Sequence, residues 1–208
     1  MAPESYILVG GRSSRFAGGE KPSARIGGKT LAENAVDIVR TALPESKIFF
    51  VARNADQFVD ESRRLGVGLI HDSIEGRGPL GGLFAALANC QTEWLFLFAC
   101  DMPLMSSRFI AEMRRRCDAR YGVVLPRQPD GRLQPLCAYY NVLEAIPVVE
   151  ALVHRPGGTP AMMEAIDALE AWIVEPEEAE IRPEAWANVN TAETLAEIER
   201  KLSGGSEI

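Results

Sequence analysis

Short apolar runs rich in β-branched and aromatic residues recur at positions 6–9, 48–51, 67–70, 94–98 and 123–125, and the stretches between them carry helical patterns. Runs of this length, bounded by turn residues, read as buried strands. The intervening helices are expected over 30–43, ended by Pro44; 56–65, ended by Gly66; 80–89, opened by Pro79; and 107–117, behind Ser106 as N-cap. Such alternation predicts an α/β fold of three layers, a mostly parallel sheet with helices on both faces, whose ligands gather at the carboxyl ends of the strands. After Leu125 the rhythm changes to a strand over 134–140, helices over 142–154 and 160–169, and a short strand over 172–174. An acidic loop over 175–187 and a last helix, capped by Thr191 and running to about Leu202, complete the pattern. No repeat or low-complexity linker divides the chain, so one domain is expected over 1–202, with a frayed tail over 203–208.

Charge and special residues narrow the function. The formal net charge of −7 argues against a nucleic-acid partner, since that affinity rests on neutralising many phosphates with Lys and Arg. Apolar runs such as 94–100 are far shorter than the ~20 residues a membrane span needs, and the start Met-Ala-Pro-Glu-Ser lacks a basic and an apolar leader segment. A cytoplasmic protein without a membrane partner is expected. The four cysteines, Cys90, Cys100, Cys117 and Cys137, have no C-x-x-C spacing and read as reduced thiols, mostly in the core. With only His71 and His154 as histidine ligands, a hard cation on carboxylate oxygen is a better expectation than zinc.

The first strand runs directly into Gly10-Gly11-Arg12-Ser13-Ser14-Arg15-Phe16-Ala17-Gly18-Gly19-Glu20-Lys21. Glycines let backbone N–H groups approach oxygens, and Arg and Lys supply charge, which is the combination a triphosphate needs. Asp101 follows the apolar run 94–98, so its carboxylate should stand at a strand's carboxyl end beside that loop, where one Mg²⁺ could bridge protein and triphosphate. Asn188 and Asn190 alternate ahead of the last helix, so in an extended segment both amides would face an acceptor's phosphate or the metal's water shell.

The first loop, from Leu8-Val9-Gly10-Gly11-Arg12-Ser13-Ser14-Arg15-Phe16 to Lys21, resembles the signature loop of the molybdenum cofactor guanylyltransferases and related MobA-like nucleotidyltransferases. Asp72 with Gly78-Pro79-Leu80-Gly81-Gly82-Leu83, Cys100-Asp101-Met102-Pro103, Gln134-Pro135-Leu136 and Asn188-Val189-Asn190-Thr191 follow in that family's order and at similar spacing. The resemblance implies the Rossmann-like nucleotidyltransferase fold, with a nucleotide-binding part over about 1–126 and an acceptor-binding part over about 127–202. It implies transfer of GMP from GTP to molybdopterin with Mg²⁺, and transient contact with other molybdenum cofactor proteins. Carried over by position, Leu8, Val9, Gly10, Gly11, Arg12, Ser13, Asp72, Gly78, Pro79 and Leu80 contact the nucleotide. Arg15 and Lys21 stabilise the triphosphate, and Asp101 holds nucleotide and metal. Gln134, Pro135, Asn188 and Asn190 face the acceptor, with Asn190 a candidate second metal ligand. The chain departs from the family pattern at Val9, where alanine is usual, at Ala17, where glycine is usual, and at Ala52, near a position that is asparagine in some members.

Competing motifs are weaker. Gly28-Lys29-Thr30 lacks the earlier glycine of a P-loop, where Ser23 stands, so Lys29 reads as a surface or substrate-proximal cation and Thr30 as a helix cap. Residues 76–81 fit the G-x-G-x-x-G of a dinucleotide site, but five residues separate the run 67–70 from its first glycine. His71 reads as a packed, hydrogen-bonded residue and His154 as solvated. The basic run Arg114–Arg116 with Arg120 reads as a solvated helix face. Cytidylyl or sugar-phosphate transfer on the same fold, or a nucleotide-binding regulator without turnover, remain open alternatives; Arg15, Lys21 and Asp101 together favour catalysis.

Overall fold

A computed structural model describes residues 1–10, 21–72, 74, 76–157, 161–175 and 181–204. In chain order its strands are β1 (Glu4–Leu8), β2 (Arg25–Ile26), β3 (Lys29–Thr30), β4 (Ile48–Ala52), β5 (Gly68–His71), β6 (Trp94–Ala99), β7 (Val123–Pro126), β8 (Cys137–Asn141) and β9 (Ala171–Val174). The helices are α1 (Leu31–Ala42), α2 (Val59–Leu65), α3 (Pro79–Asn89), α4 (Ser107–Arg114), α5 (Val142–Val153), α6 (Met162–Asp167) and α7 (Ala192–Gly204).

Seven strands form one sheet in the order β5-β4-β1-β6-β8-β7-β9. Every pairing is parallel except those of β8, which runs antiparallel to β6 and to β7. Because two reversals restore direction, the carboxyl ends of β1, β4, β5, β6, β7 and β9 share one edge. Neighbouring residues of a strand face opposite cores, as a period of two requires: Tyr6, Leu95 and Leu97 pack with α3, α5 and α6, whereas Ile7, Phe96 and Phe98 pack with α1 and α4. The sheet is therefore covered on both faces, as the alternation of patterns predicts. Within the described residues no helix is long and apolar enough to cross a membrane.

Local chemistry explains the element ends. Thr30 caps α1 in a reciprocal box: its hydroxyl accepts from Glu33 N at 3.0 Å, and its own N–H donates to Glu33 Oε2 at 2.6 Å. Ser106 caps α4 by accepting from Phe109 N. Gly27 and Gly28, at φ 56° and 83°, make the two-residue turn of the β2–β3 hairpin, a backbone conformation open to glycine.

Some expectations need correction. Residues 134–136 form a turn, not strand: Gln134 N donates to Pro126 O and Cys137 N to Gln134 O, so β8 starts only at Cys137. His71 is exposed rather than packed, because β5 is the sheet's outer strand and His71 its last residue. The helix expected over 56–65 begins only at Val59, behind Phe58 in a left-handed conformation at φ 59°. Cys100 and Cys137 are buried, whereas Cys90 and Cys117 are half-buried, and none forms a disulfide.

Candidate active site

The carboxyl edge of the sheet assembles the site. β6 ends at Ala99, and the turn after it presents Asp101; the single turn Lys21–Ser23 returns from the first loop and presents Lys21. Lys21 Nζ donates to Asp101 Oδ2 at 2.6 Å and to Asn190 Oδ1 at 2.9 Å. Asn190 is held there by the backbone, since Val189 N donates to Asp101 O at 2.8 Å and Asn190 N donates to Thr194 Oγ1 at 3.2 Å. The ion pair is about four-fifths buried on both sides, with side-chain exposures of 19% and 23%. Two hard oxygens thus converge on one cation. This donor set fits Mg²⁺, which takes one or two protein oxygens and completes its shell with phosphate and water.

A second cluster stands at the ends of β4 and β5. Asp72 N donates to Ala52 O, and Asp72 Oδ1 accepts from Ile74 N at 2.9 Å. The other carboxylate oxygen lies against Gly81 in the first turn of α3, where a Cβ would sit only 2.4 Å away. Glycine is needed at Gly81 for that approach. Burial raises the Asp72 carboxyl above its ordinary value, opposed by the Ile74 N–H bond and by the charge of Arg53. Gly78, at φ 57°, and Pro79 open α3 without a side-chain cap, and Gly81 N donates to Gly78 O at 3.2 Å.

The expected nucleotide contacts of the first strand are only in part available. Val9 N and Gly10 N both donate to Val51 O, and Leu8 O accepts from Cys100 N at 3.4 Å. Gly10 lies against Arg53, whose N atom would be 2.7 Å from a Cβ placed there. Leu80 is fully buried among α3 and α5 side chains, so only its backbone can meet a ligand. Gly11, Arg12, Ser13 and Arg15, together with Ala17, lie outside the described residues.

Of the residues expected to face an acceptor, Gln134 is buried and its Oε1 accepts from Leu136 N at 3.3 Å, while Pro135 O accepts from Tyr140 Oη at 2.8 Å. Both groups shape the turn ahead of β8. Of the two amides expected to face the acceptor or the metal's water shell, Asn190 accepts from Lys21, whereas the half-buried Asn188 side chain makes no hydrogen bond among the described residues. Buried Val189 between them anchors the segment to Asp101. Lys29 pairs with Asp37 at 2.6 Å on the surface. Of the tripeptide His154-Arg155-Pro156, His154 is exposed and Arg155 pairs with Glu164 at 2.7 Å.

Sequence reasoning missed Arg53 and Arg77. Arg53 is the first charged residue after β4, at a strand end like the one that singled out Asp101. Arg77 donates to Gly157 O at 3.2 Å and to Arg155 O at 2.9 Å, tying the loop before α3 to the loop after α5. No local pattern announces that second contact. No cysteine is poised as a nucleophile: burial holds the Cys100 thiol, next to Asp101, far above its usual value and pushes Cys117 up to about 12.

Comparison with known proteins places these features in a family. Residues 5–172 match the MobA-like NTP transferase domain. The chain is 28% identical over 207 residues to a molybdenum cofactor guanylyltransferase of Desulfosudis oleivorans, covering 98% of each. It is 32% identical over 166 residues to a probable molybdenum cofactor guanylyltransferase of Opitutus terrae, covering 78% of this chain and 77% of that one. Its fold is similar to that of the molybdopterin-guanine dinucleotide biosynthesis protein A of Archaeoglobus fulgidus, with a TM-score of 0.79 at 23% identity over 97% of this chain and 99% of that one. The chain belongs to the MobA-like NTP transferase family and is a nucleotidyltransferase.

Proposed function

We propose that the chain transfers GMP from GTP to molybdopterin, forming molybdopterin guanine dinucleotide and pyrophosphate. The observation that carries this reading is the convergence of Lys21, Asp101 and Asn190 at the carboxyl edge of the sheet. The names borne by the relatives from Desulfosudis and Opitutus support the choice of GTP and molybdopterin.

A terminal phosphate oxygen of the acceptor attacks the α-phosphorus of GTP, the bond to the β-phosphate oxygen breaks, and pyrophosphate leaves. A phosphate is already anionic near neutral pH, so alignment and charge compensation are the main tasks. Lys21 releases Asp101 and turns its ammonium to the triphosphate; Arg15 and Arg12, from the first loop, add charge. Asp72 and the opening of α3 hold the nucleoside, with Arg53 beside them. Asp101 and Asn190 would hold Mg²⁺, which supplies Lewis-acid stabilisation of the phosphate oxygens when bound.

Pyrophosphate release measured with Mg²⁺, molybdopterin and each of GTP, CTP, ATP and UTP tests the reading. Release is expected with GTP, falling by about 10²–10³-fold or more in Asp101→Asn while the unfolding midpoint stays within a few degrees. Release with CTP instead would reassign the base, and full activity in Asp101→Asn would remove the metal assignment.

A further inference from the structure

The two turns that bring Lys21 and Asp101 together are both tied to one helix. On the first side, Ala24 N donates to Lys21 O at 3.1 Å, and Leu31 N, at the start of α1, donates to Ala24 O at 2.9 Å. The Lys21 turn is thus seated on the beginning of α1. On the second side, Asn34, within the first turns of the same helix, donates from Nδ2 to Pro103 O at 2.7 Å. That bond spans 69 positions of sequence and reaches the turn after β6 two residues beyond Asp101.

Backbone groups supply the other holds on this turn. Cys100 N donates to Leu8 O at 3.4 Å, Val189 N to Asp101 O at 2.8 Å, and Met105 N to Met102 O at 3.3 Å. Asn34 adds a side chain to the set. Because a carbonyl only accepts, the carboxamide must meet Pro103 with its NH₂ group. Met102 and Pro103 are buried, and Leu104 packs against the small core that contains Leu31 and Val189. A carbonyl left there without its donor is costly, and the turn can recover a partner only by shifting. Any such shift is felt two residues away, where the Asp101 carboxylate stands 2.6 Å from the Lys21 ammonium.

We propose that Asn34 is a positioning residue for nucleotidyl transfer. Acting through Asp101, it holds the turn after β6 at the distance from the Lys21 turn that lets both charged groups serve one triphosphate and its metal ion. The proposal rests on the roles given above to Lys21 and Asp101, and it makes α1 the frame that spaces them.

The test uses the full chain with Asn34→Leu and Asn34→Ala, both of which lack the donor. In the pyrophosphate assay, with the nucleotide that supports release, kcat should fall about tenfold in each, since a small misplacement of a charged group is felt in the chemical step. Nucleotide affinity measured by calorimetry without a divalent ion should stay within about twofold of the wild type, because Asp72 and α3 do not depend on Asn34. Binding of Mn²⁺, an oxygen-seeking substitute for Mg²⁺, read by electron paramagnetic resonance with nucleotide present and no acceptor, should weaken about tenfold. Placed on Asp101→Asn, Asn34→Leu should lower turnover by less than about twofold further, as expected of two residues acting as one unit.

Asn34→Ala keeps the test decisive if Asn34→Leu folds poorly, because alanine is the strongest helix former. Wild-type kcat and Mn²⁺ affinity in a folded Asn34→Ala would overturn the positioning role alone, as would additive losses in the double variant. Wild-type turnover and Mn²⁺ affinity in Asp101→Asn would remove the metal assignment of Asp101 and this proposal with it.

Discussion

Asp72 shows what a single site residue costs. Its carboxylate is partly buried between the end of β5 and Gly81, and burial raises its pKa above the ordinary 3.8. Between that value, which holds in the unfolded chain, and the higher folded value, the native state binds the proton more tightly. Stability therefore falls as pH rises through this window, and the deficit persists at neutral pH. Asp72→Asn removes the charge but keeps an oxygen for the Ile74 N–H. The variant should gain stability over the wild type across that window and hold the gain at neutral pH, as read from urea midpoints. Its affinity for GTP should fall about tenfold, the size of one lost charged hydrogen bond. A variant less stable than the wild type at neutral pH would mean that the carboxylate is compensated after all. A carboxylate that costs the fold in this way marks Asp72 as a candidate ligand contact.

At the scale of elements, Thr30 links the hairpin to the first helix. Its hydroxyl accepts from Glu33 N and donates to Glu61 Oε1 at 2.9 Å, and Glu33 pairs in turn with Arg64 at 2.6 Å, so one cap ties α1 to α2. Leu31 N donates to Ala24 O, just after the turn that carries Lys21. Thr30→Ala should lower the unfolding free energy by about 1 kcal/mol, the usual cost of a lost N-cap, measured by urea titration; no change would show that Glu33 alone holds the helix start. The cap was legible in the sequence, as were the strands that enter the sheet, because buried runs and helix signals are local. The β2–β3 hairpin was not read, although Gly27-Gly28 flanked by Ile26 and Lys29 is a two-residue turn signal. The reversed direction of β8 was not legible at all, since an alternating pattern reads the same in either direction. Asp101 could be placed from the strand end it follows, but Asp72 was named only through the resemblance to a family, and Asn190 meets Lys21 across 169 positions, which only that resemblance linked beforehand.

Across the whole molecule, the candidate site is flanked by a core that joins segments far apart in the sequence. Ile26 and Leu31, just after the first loop, form a small core with Val189 and Ile198, separate from the two large cores on the faces of the sheet. This core docks α7 and with it the segment that presents Asn190 to Lys21. Residues 188–204 follow the last strand, so they can detach without breaking any strand pairing. Ile198→Ala leaves a cavity where a large side chain was buried, a change that costs about 2–5 kcal/mol in a well-packed core. Here that cost exceeds what a peripheral helix can draw from its docking, so it should appear as local opening rather than global unfolding. Amide exchange over 192–199 should accelerate at least tenfold while the amides of β6 keep wild-type protection, and pyrophosphate release should fall in parallel with the opening of α7. If β6 loses protection together with α7, the C-terminal helix is part of the global folding unit, and closure of the site is inseparable from the fold. If α7 opens and turnover persists, Asn190 is dispensable and Asp101 holds the metal with substrate oxygens alone.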